Sequence, residues 1–169
     1  DAGFVDLQCA ALRTLAERDP GLPVPAVVPD WSGRAWSTAS VGGGPPRLVW
    51  MLTYLEGRPI AGVRPVTSGL LEELGTTLAR LDLALTGFVH PSARRELKWD
   101  LTRAGWIREY LGLILDPGRR SLVEKLLARY DAEAGPALPR LRRSVVYADA
   151  NEHNVLVRVE PGRLPSLAG

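Results

Sequence analysis

Residues 144–157 read Ser-Val-Val-Tyr-Ala-Asp-Ala-Asn-Glu-His-Asn-Val-Leu-Val, two short apolar runs around a polar loop. The runs consist of aliphatic, mostly β-branched residues of the kind that form buried strands. The sequence therefore predicts two neighbouring strands, at 144–147 and 154–158. The loop between them, residues 147–154, is too polar for a protein core.

The loop places Asp149 and Asn154 five positions apart. This Asp-x-x-x-x-Asn spacing is that of a kinase catalytic loop, in which the Asp accepts the proton of the attacking hydroxyl and the Asn holds a magnesium ion. A neutral side-chain oxygen suits a hard cation that keeps several waters. The alternative interpretation is structural, because Asp and Asn also favour turns through local hydrogen bonds. The spacing alone leaves both interpretations open.

The whole segment resembles the catalytic segment of the aminoglycoside phosphotransferase and choline kinase family. Within that family it is similar to the branch containing hydroxylysine kinase, whose segment reads His-x-Asp-Ala-Asn-x-x-Asn. The resemblance implies that Asp149 is the catalytic base and that Asn154 is a metal ligand, with ATP and Mg²⁺ as cofactors. One position departs from the pattern, since Tyr147 stands where the family usually has His.

A second stretch, residues 48–59, is similar to the strand and hinge that precede a Gly-x-Pro turn in the same family. In that family the hinge backbone hydrogen-bonds the adenine edge. By position, the resemblance implies that the carbonyl of Thr53 and the N–H of Leu55 bind ATP, with Met51 and Leu52 near the ring. The residues by themselves are also consistent with an edge strand that leads into a turn.

Apolar periodicity predicts helices over about 4–17, from 66 to 87, over about 98–114, and from a turn at 116–118 to about 134. Thr67 or Ser68 is expected to cap the second of these helices, with Glu72 and Glu73 in its first turn. The leucine and aromatic stripes of the helices are interpreted as core.

Short strands are expected at 27–29, 35–40 and 48–54. Gly42-Gly43-Gly44 lies between the last two and is followed by two prolines. Because proline has no N–H group to offer a phosphate, this segment predicts a turn between antiparallel strands and not a phosphate-binding loop.

The composition, 46% apolar and 24% charged residues, is that of a soluble globular chain and excludes disorder and collagen. A net charge of +2 calls for no nucleic-acid partner, and no apolar run is long enough for a membrane span. Cys9 is the only cysteine, so no internal disulfide can form. Together with the lack of a signal peptide, this favours a cytoplasmic location.

The order of elements is that of an α+β, protein-kinase-like fold from its αC helix onward. Residues 1–57 are expected to form a partial N-terminal lobe with an antiparallel sheet and the αC helix, and residues 58–169 a partial, mainly helical C-terminal lobe. Such a fold also needs a strand Lys before αC and a metal-binding Asp after the catalytic strands. The lysines are Lys98 and Lys125, and no Asp follows Asp149. We therefore expect an internal piece of a longer kinase, inactive by itself.

The expected reaction transfers the γ-phosphate of ATP to a hydroxyl of an amine or amino acid, hydroxylysine- or ethanolamine-like. Aminoglycosides and choline are the alternative acceptors within the family. A second hypothesis is a pseudokinase that binds a nucleotide or another protein, since Tyr147 replaces His and Gln8 occupies the αC position where the family has Glu. The resemblance also implies that the domain can be fused to other domains.

Overall fold

The structure, a computed structural model, describes residues 1–169 in two compact units. The first unit contains residues 1–93 and 144–169, and the second contains residues 94–143. Two small antiparallel sheets and two α-helices make up most of the first unit, whereas the second is helical. This is the α+β combination that the sequence predicts. The lobe boundary at residue 57 stays a prediction.

Helix α1 spans Ala2–Arg18 and confirms the helix predicted at about 4–17. The carboxylate of Asp1 caps its N-terminus, since it accepts a hydrogen bond from Gly3 N at 3.0 Å. The side chains that α1 buries are apolar: Val5, Leu7, Cys9 and Leu15.

Three strands form the first sheet, in the antiparallel order β1-β3-β2: β1 (Val27–Val28), β2 (Trp36–Ala39) and β3 (Arg47–Leu52). Val27 pairs with Leu52. The predicted glycine turn between β2 and β3 is confirmed. Gly42 and Gly43 have φ angles of 62° and 74°, a conformation that only glycine adopts readily.

The second sheet has the antiparallel order β4-β5-β6 and is built from three very short strands: β4 (Arg58–Pro59), β5 (Leu156–Arg158) and β6 (Ser166–Leu167). Val157 lies at its centre, paired with Arg58 and Leu167, and its side chain is completely buried. It belongs to a core cluster of Ile60, Val63, Leu70, Val155 and Val157.

The strand predicted at 144–147 is wrong, because residues 142–150 adopt no regular structure. The prediction assumed that this segment pairs with 154–158. In the structure, both hydrogen-bonding edges of β5 are occupied, one by β4 and the other by β6. Val146 is consequently 51% exposed, although Val145 packs against the core around α1.

Helix α2 spans Ser68–Ala84, and Thr67 caps it as predicted by accepting a hydrogen bond from Leu70 N at 3.2 Å. Glu72 and Glu73 do not lie in its first turn, because the helix begins only at Ser68. The α2 side chains contribute to a second core cluster: Leu15, Leu22, Leu81, Ala84 and Leu85. The turn that follows contains Gly87 at a φ of 73°.

The second unit contains a 3₁₀ helix (Leu101–Leu113), helix α3 (Pro117–Arg129) and a π-helical turn (Tyr130–Ala134). The predicted helix positions are confirmed, but the expectation that their apolar stripes form core is wrong in part. Leu127 is buried, whereas Tyr110 in the 3₁₀ helix is 44% exposed. A 3₁₀ helix has three residues per turn, so side chains spaced for an α-helix do not share one face. None of the helices in the chain has the length and apolar character that a membrane crossing requires.

Candidate active site

Asp149 and Asn154 form one hydrogen-bonded unit in the loop before β5. The Asn154 side-chain nitrogen donates to Asp149 Oδ2 at 2.7 Å and to the Asp149 carbonyl oxygen at 2.9 Å. Its Oδ1 atom makes no hydrogen bond within the chain. The loop therefore presents a carboxylate and an unused amide oxygen side by side, and both residues are exposed.

Asn151 shapes this loop, a role that the spacing of Asp149 and Asn154 did not predict. Its side-chain nitrogen donates to Asp149 Oδ1 at 2.7 Å. Its Oδ1 atom accepts from the backbone N–H groups of His153, at 2.9 Å, and Asn154, at 3.2 Å. Such side-chain-to-backbone bonds are what makes Asn a turn former. The turn and the catalytic interpretations are thus compatible, with Asn151 building the turn that presents the other two side chains.

The loop is anchored at its far end by the segment that follows β4. Ile60 N donates to Val155 O, and Ala61 N donates to Glu152 O, both at 2.9 Å. Val155 is buried in the core cluster of the second sheet. The exposed polar side chains therefore stand on a backbone that is fixed by the core.

Tyr147 lies at the entrance of the loop and is about half exposed. Partial burial raises the pKa of its phenol, and the negative charge of Asp149 raises it further. Tyr147 is therefore neutral at physiological pH and does not compete with Asp149 as a base.

The predicted hinge follows β3 in the same unit. Thr53 N donates to Ala26 O at 2.9 Å, and Ala26 N donates to the Thr53 hydroxyl at 2.8 Å, which fixes the strand end. The Thr53 carbonyl and the Leu55 N–H make no hydrogen bond within the chain. These are the two groups assigned to the adenine edge. Met51 and Leu52 next to them are exposed apolar side chains of the kind that contact a base.

The end of the hinge lies against the sheet that carries the loop. A Cβ atom on Gly57 would lie 3.0 Å from the Leu156 Cβ and 3.3 Å from the Val157 carbonyl oxygen, so this close approach favours glycine. That Asp149 and Asn154 face residues 53–55 across one cleft stays a prediction.

The donor groups present fit a magnesium ion in part. Mg²⁺ keeps several waters and takes one or two protein oxygens, so the outward Asn154 Oδ1 is a suitable ligand. No group of three or more His, Cys, Asp or Glu side chains comes together as a metal site anywhere in the chain. Asn154 would thus be one ligand among waters and phosphate oxygens.

The sequence model of the phosphotransferase enzyme family matches residues 5–167. The chain belongs to this family. The family resemblance seen at residues 144–157 and 48–59 is thereby confirmed, because the match covers both stretches.

Individual relatives of this chain are named hydroxylysine kinase. The Mus musculus protein is 36% identical over 114 residues, which cover 65% of this chain and 30% of the relative. The Bos taurus protein is 34% identical over 114 residues, with the same coverage. The Danio rerio protein is 28% identical over 165 residues, which cover 94% of this chain and 46% of the relative. The chain therefore spans less than half the length of these curated relatives.

Proposed function

We propose that this chain is part of a kinase that transfers the γ-phosphate of ATP to a hydroxyl of an amine or amino acid. The observation that carries the proposal is the Asp149–Asn154 unit. It holds one carboxylate and one outward amide oxygen side by side, the two groups that a kinase catalytic loop needs.

Asp149 acts as the general base. Each of its carboxylate oxygens accepts one amide N–H, from Asn151 and from Asn154, and retains further lone pairs for an acceptor hydroxyl. The two amides hold the carboxylate in one orientation, which a proton acceptor requires. Tyr147 next to Asp149 is neutral and adds no charge to the site.

Asn154 would hold Mg²⁺ through Oδ1, while the Thr53 carbonyl and the Leu55 N–H would orient the adenine of ATP. When bound, ATP would supply the phosphoryl group and Mg²⁺ would neutralise the charge of the phosphate oxygens. In this proposal, residues 1–57 are part of the N-terminal lobe and residues 58–169 part of the C-terminal lobe of a protein-kinase-like fold.

The proposed acceptor is hydroxylysine or a similar amino alcohol. It is supported by the names of the relatives and by the Asp-Ala-Asn sequence at 149–151. Aminoglycosides and choline remain the alternatives. The second function is a nucleotide-binding pseudokinase, which Tyr147 in place of His and the exposed Gln8 on α1 favour.

The test uses the full-length protein that contains this chain, incubated with MgATP and hydroxylysine. Release of ADP together with a phosphate ester on the hydroxyl, identified by ³¹P NMR and mass spectrometry, is the expected result. Binding of MgATP without transfer to hydroxylysine, ethanolamine, choline or an aminoglycoside would instead favour the pseudokinase.

A further inference from the structure

A cavity of about 420 Å³ lies beside the catalytic loop and is lined by Ile60, Ala61, Arg64, Val66 and Glu152. Its volume is within the range of small-molecule sites. Its lining combines aliphatic side chains with one guanidinium and one carboxylate. Glu152 belongs to the catalytic loop itself, three residues after Asp149.

The two charged side chains of this cavity, Arg64 and Glu152, form no ion pair within the chain. Glu152 makes no side-chain hydrogen bond or ion pair within the chain. Arg64 donates from Nη1 alone, to the carbonyl oxygens of Val63 at 2.6 Å and Ala61 at 3.4 Å. The Nε and Nη2 groups of Arg64 have no partner in the chain, and Arg64 and Glu152 do not pair with each other.

The unused Nε and Nη2 groups lie on one edge of the guanidinium, the edge that binds a carboxylate through two parallel hydrogen bonds. The same protein shows this geometry at Arg80. There, Nε and Nη2 donate to the two carboxylate oxygens of Asp19 at 2.8 and 2.6 Å. Arg64 thus offers a second fork of this kind, directed at no protein group.

A larger cavity in the first unit lacks this pair of available charges. It measures about 600 Å³, but its Arg80 is already paired with Asp19, and its Glu73 accepts a hydrogen bond from Leu167 N at 2.7 Å. Two of its three charged side chains, Arg80 and Glu73, are thus engaged by the fold, and only the carboxylate of Glu72 is left. The smaller cavity offers a ligand both a guanidinium and a carboxylate.

We propose that the cavity beside the catalytic loop binds the amino-acid end of the acceptor, with Arg64 on the carboxylate and Glu152 on the ammonium group. An amino acid carries a carboxylate and an ammonium group on the same carbon and can therefore pair with both side chains. A simple amine or choline has only a positive charge and cannot pair with Arg64. This inference rests on the proposed function, and it narrows the acceptor class from amino alcohols to hydroxy amino acids.

The position of the cavity fits this role. Ala61 N is bonded to Glu152 O, so the cavity wall and the catalytic loop form one hydrogen-bonded piece. The Cα atoms of residues 149 and 152 are at most about 11 Å apart, the length of three extended residues. In hydroxylysine the hydroxyl oxygen stands four bonds from the α-carbon that carries both charged groups, a reach of about 5 Å in an extended chain.

The test measures KM for hydroxylysine, for the diamino alcohol that lacks its carboxylate, and for ATP in the full-length protein. Removing one charged hydrogen-bond partner should raise KM for hydroxylysine on the order of 10- to 100-fold in Arg64→Gln and in Glu152→Gln. Arg64→Gln should leave KM for the carboxylate-free compound unchanged, whereas Glu152→Gln should raise it. KM for ATP should stay at its wild-type value in both variants.

Matched controls are Arg163→Gln and Glu160→Gln, which remove the same charges from an exposed pair on the 159–165 turn and should leave every KM unchanged. Because Arg64 also bonds two carbonyls, Arg64→Lys serves as a milder variant that keeps the charge without the fork. It should raise KM for hydroxylysine by less than Arg64→Gln does. Thermal unfolding shows whether each variant is folded.

Normal turnover of hydroxylysine with unchanged KM in Arg64→Gln and Glu152→Gln would overturn the cavity assignment and leave the proposed kinase function intact. Equal increases in Arg64→Gln for hydroxylysine and for its carboxylate-free analogue would overturn the pairing of Arg64 with the carboxylate. A wild-type protein that neither binds nor phosphorylates any hydroxy amino acid would overturn the proposed acceptor and, with it, the cavity assignment.

Discussion

The side-chain nitrogen of Asn154 lies 2.7 Å from Asp149 Oδ2 and 2.9 Å from the Asp149 carbonyl oxygen. Both Asp149 atoms are acceptors, so the amide of Asn154 has a single orientation, with its nitrogen toward Asp149 and its oxygen outward. The proposed base and the proposed metal ligand are therefore held as one unit. A variant that tests one of these two roles must therefore remove the base or the metal ligand and leave the loop folded.

Asn154→Ala should raise the magnesium concentration needed for half-maximal rate, because it removes a metal ligand. Added magnesium should recover part of the lost rate. Steady-state kinetics of the full-length enzyme at several magnesium concentrations measure this. An unchanged magnesium requirement would refute the role of Asn154.

Asn151→Ala is the matched comparison in the same loop. It removes the hydrogen bond to Asp149 Oδ1 and the two hydrogen bonds that Asn151 accepts from the backbone of His153 and Asn154. The proposed metal ligand, Asn154 Oδ1, stays in place. We expect a lower kcat with the wild-type magnesium requirement, since Asn151 positions the base and holds no metal. If Asn151→Ala shifted the magnesium requirement as far as Asn154→Ala, the metal ligand would have been assigned wrongly.

Tyr147→Phe should keep the wild-type rate within about threefold and leave the pH–rate profile unchanged. The pKa of Tyr147 is raised by burial and by Asp149, so its phenol stays neutral and exchanges no proton in the working pH range. Rates measured across the neutral and alkaline range provide the check. A profile that loses its alkaline limb in the variant would show that Tyr147 titrates during catalysis.

Asp19→Asn should destabilise the fold at neutral pH by an amount that disappears in acid. The hydrogen bonds from Arg80 lower the pKa of Asp19, so its folded pKa lies below its unfolded value of about 3.9. A depressed carboxyl pKa adds stability above the unfolded pKa and loses it as pH falls through the folded pKa. Urea midpoints of the variant and the wild type should therefore converge below about pH 4. Asp82→Asn, an exposed carboxyl on the same helix as Arg80, is the control, and a pH-independent difference for Asp19→Asn would contradict the linkage.

Leu70→Ala should lower the free energy of unfolding by about 2–5 kcal/mol, because its side chain is 1% exposed in the core beneath β5. Its neighbour Leu71 is 54% exposed, and Leu71→Ala should change the same free energy by only about 0.5 kcal/mol or less. Both changes replace one good helix former with another, so the comparison isolates burial. Equal effects, measured by chemical denaturation, would contradict the packing of α2 on the second sheet.

Local signals predicted the elements whose partners lie nearby in sequence. The 3–4 periodicity of α1, the Thr67 cap of α2 and the glycine turn between β2 and β3 each depend on a few adjacent residues. The strand predicted at 144–147 failed for the opposite reason. Whether it pairs with β5 depends on Arg58, which is remote in sequence, and on Leu167, which returns just after β5; together they occupy both edges of that strand.

In the candidate site, too, residues close in sequence were predictable, whereas contacts that depend on the fold were not. Asp149 and Asn154 were predicted because their spacing reflects a chemistry that needs both, and their roles as base and metal ligand stay predictions. For Asn151 the sequence predicts no more than the general tendency of Asn to form turns, since its hydrogen bond to Asp149 depends on the folded loop. The cavity with Arg64 and Glu152 left no local signal, because 87 intervening residues separate two side chains that the fold brings to one wall.

The most direct test of the proposed function compares Asp149→Asn with the wild type in the full-length protein, using single-turnover transfer to hydroxylysine and equilibrium binding of MgATP. Asn keeps the size of the side chain and an acceptor for the loop amides but cannot take a proton. The transfer rate should fall on the order of 10²-fold or more, the range of a general base, while the MgATP affinity stays nearly unchanged. Transfer by Asp149→Asn at the wild-type rate would contradict the assignment of Asp149 as the base.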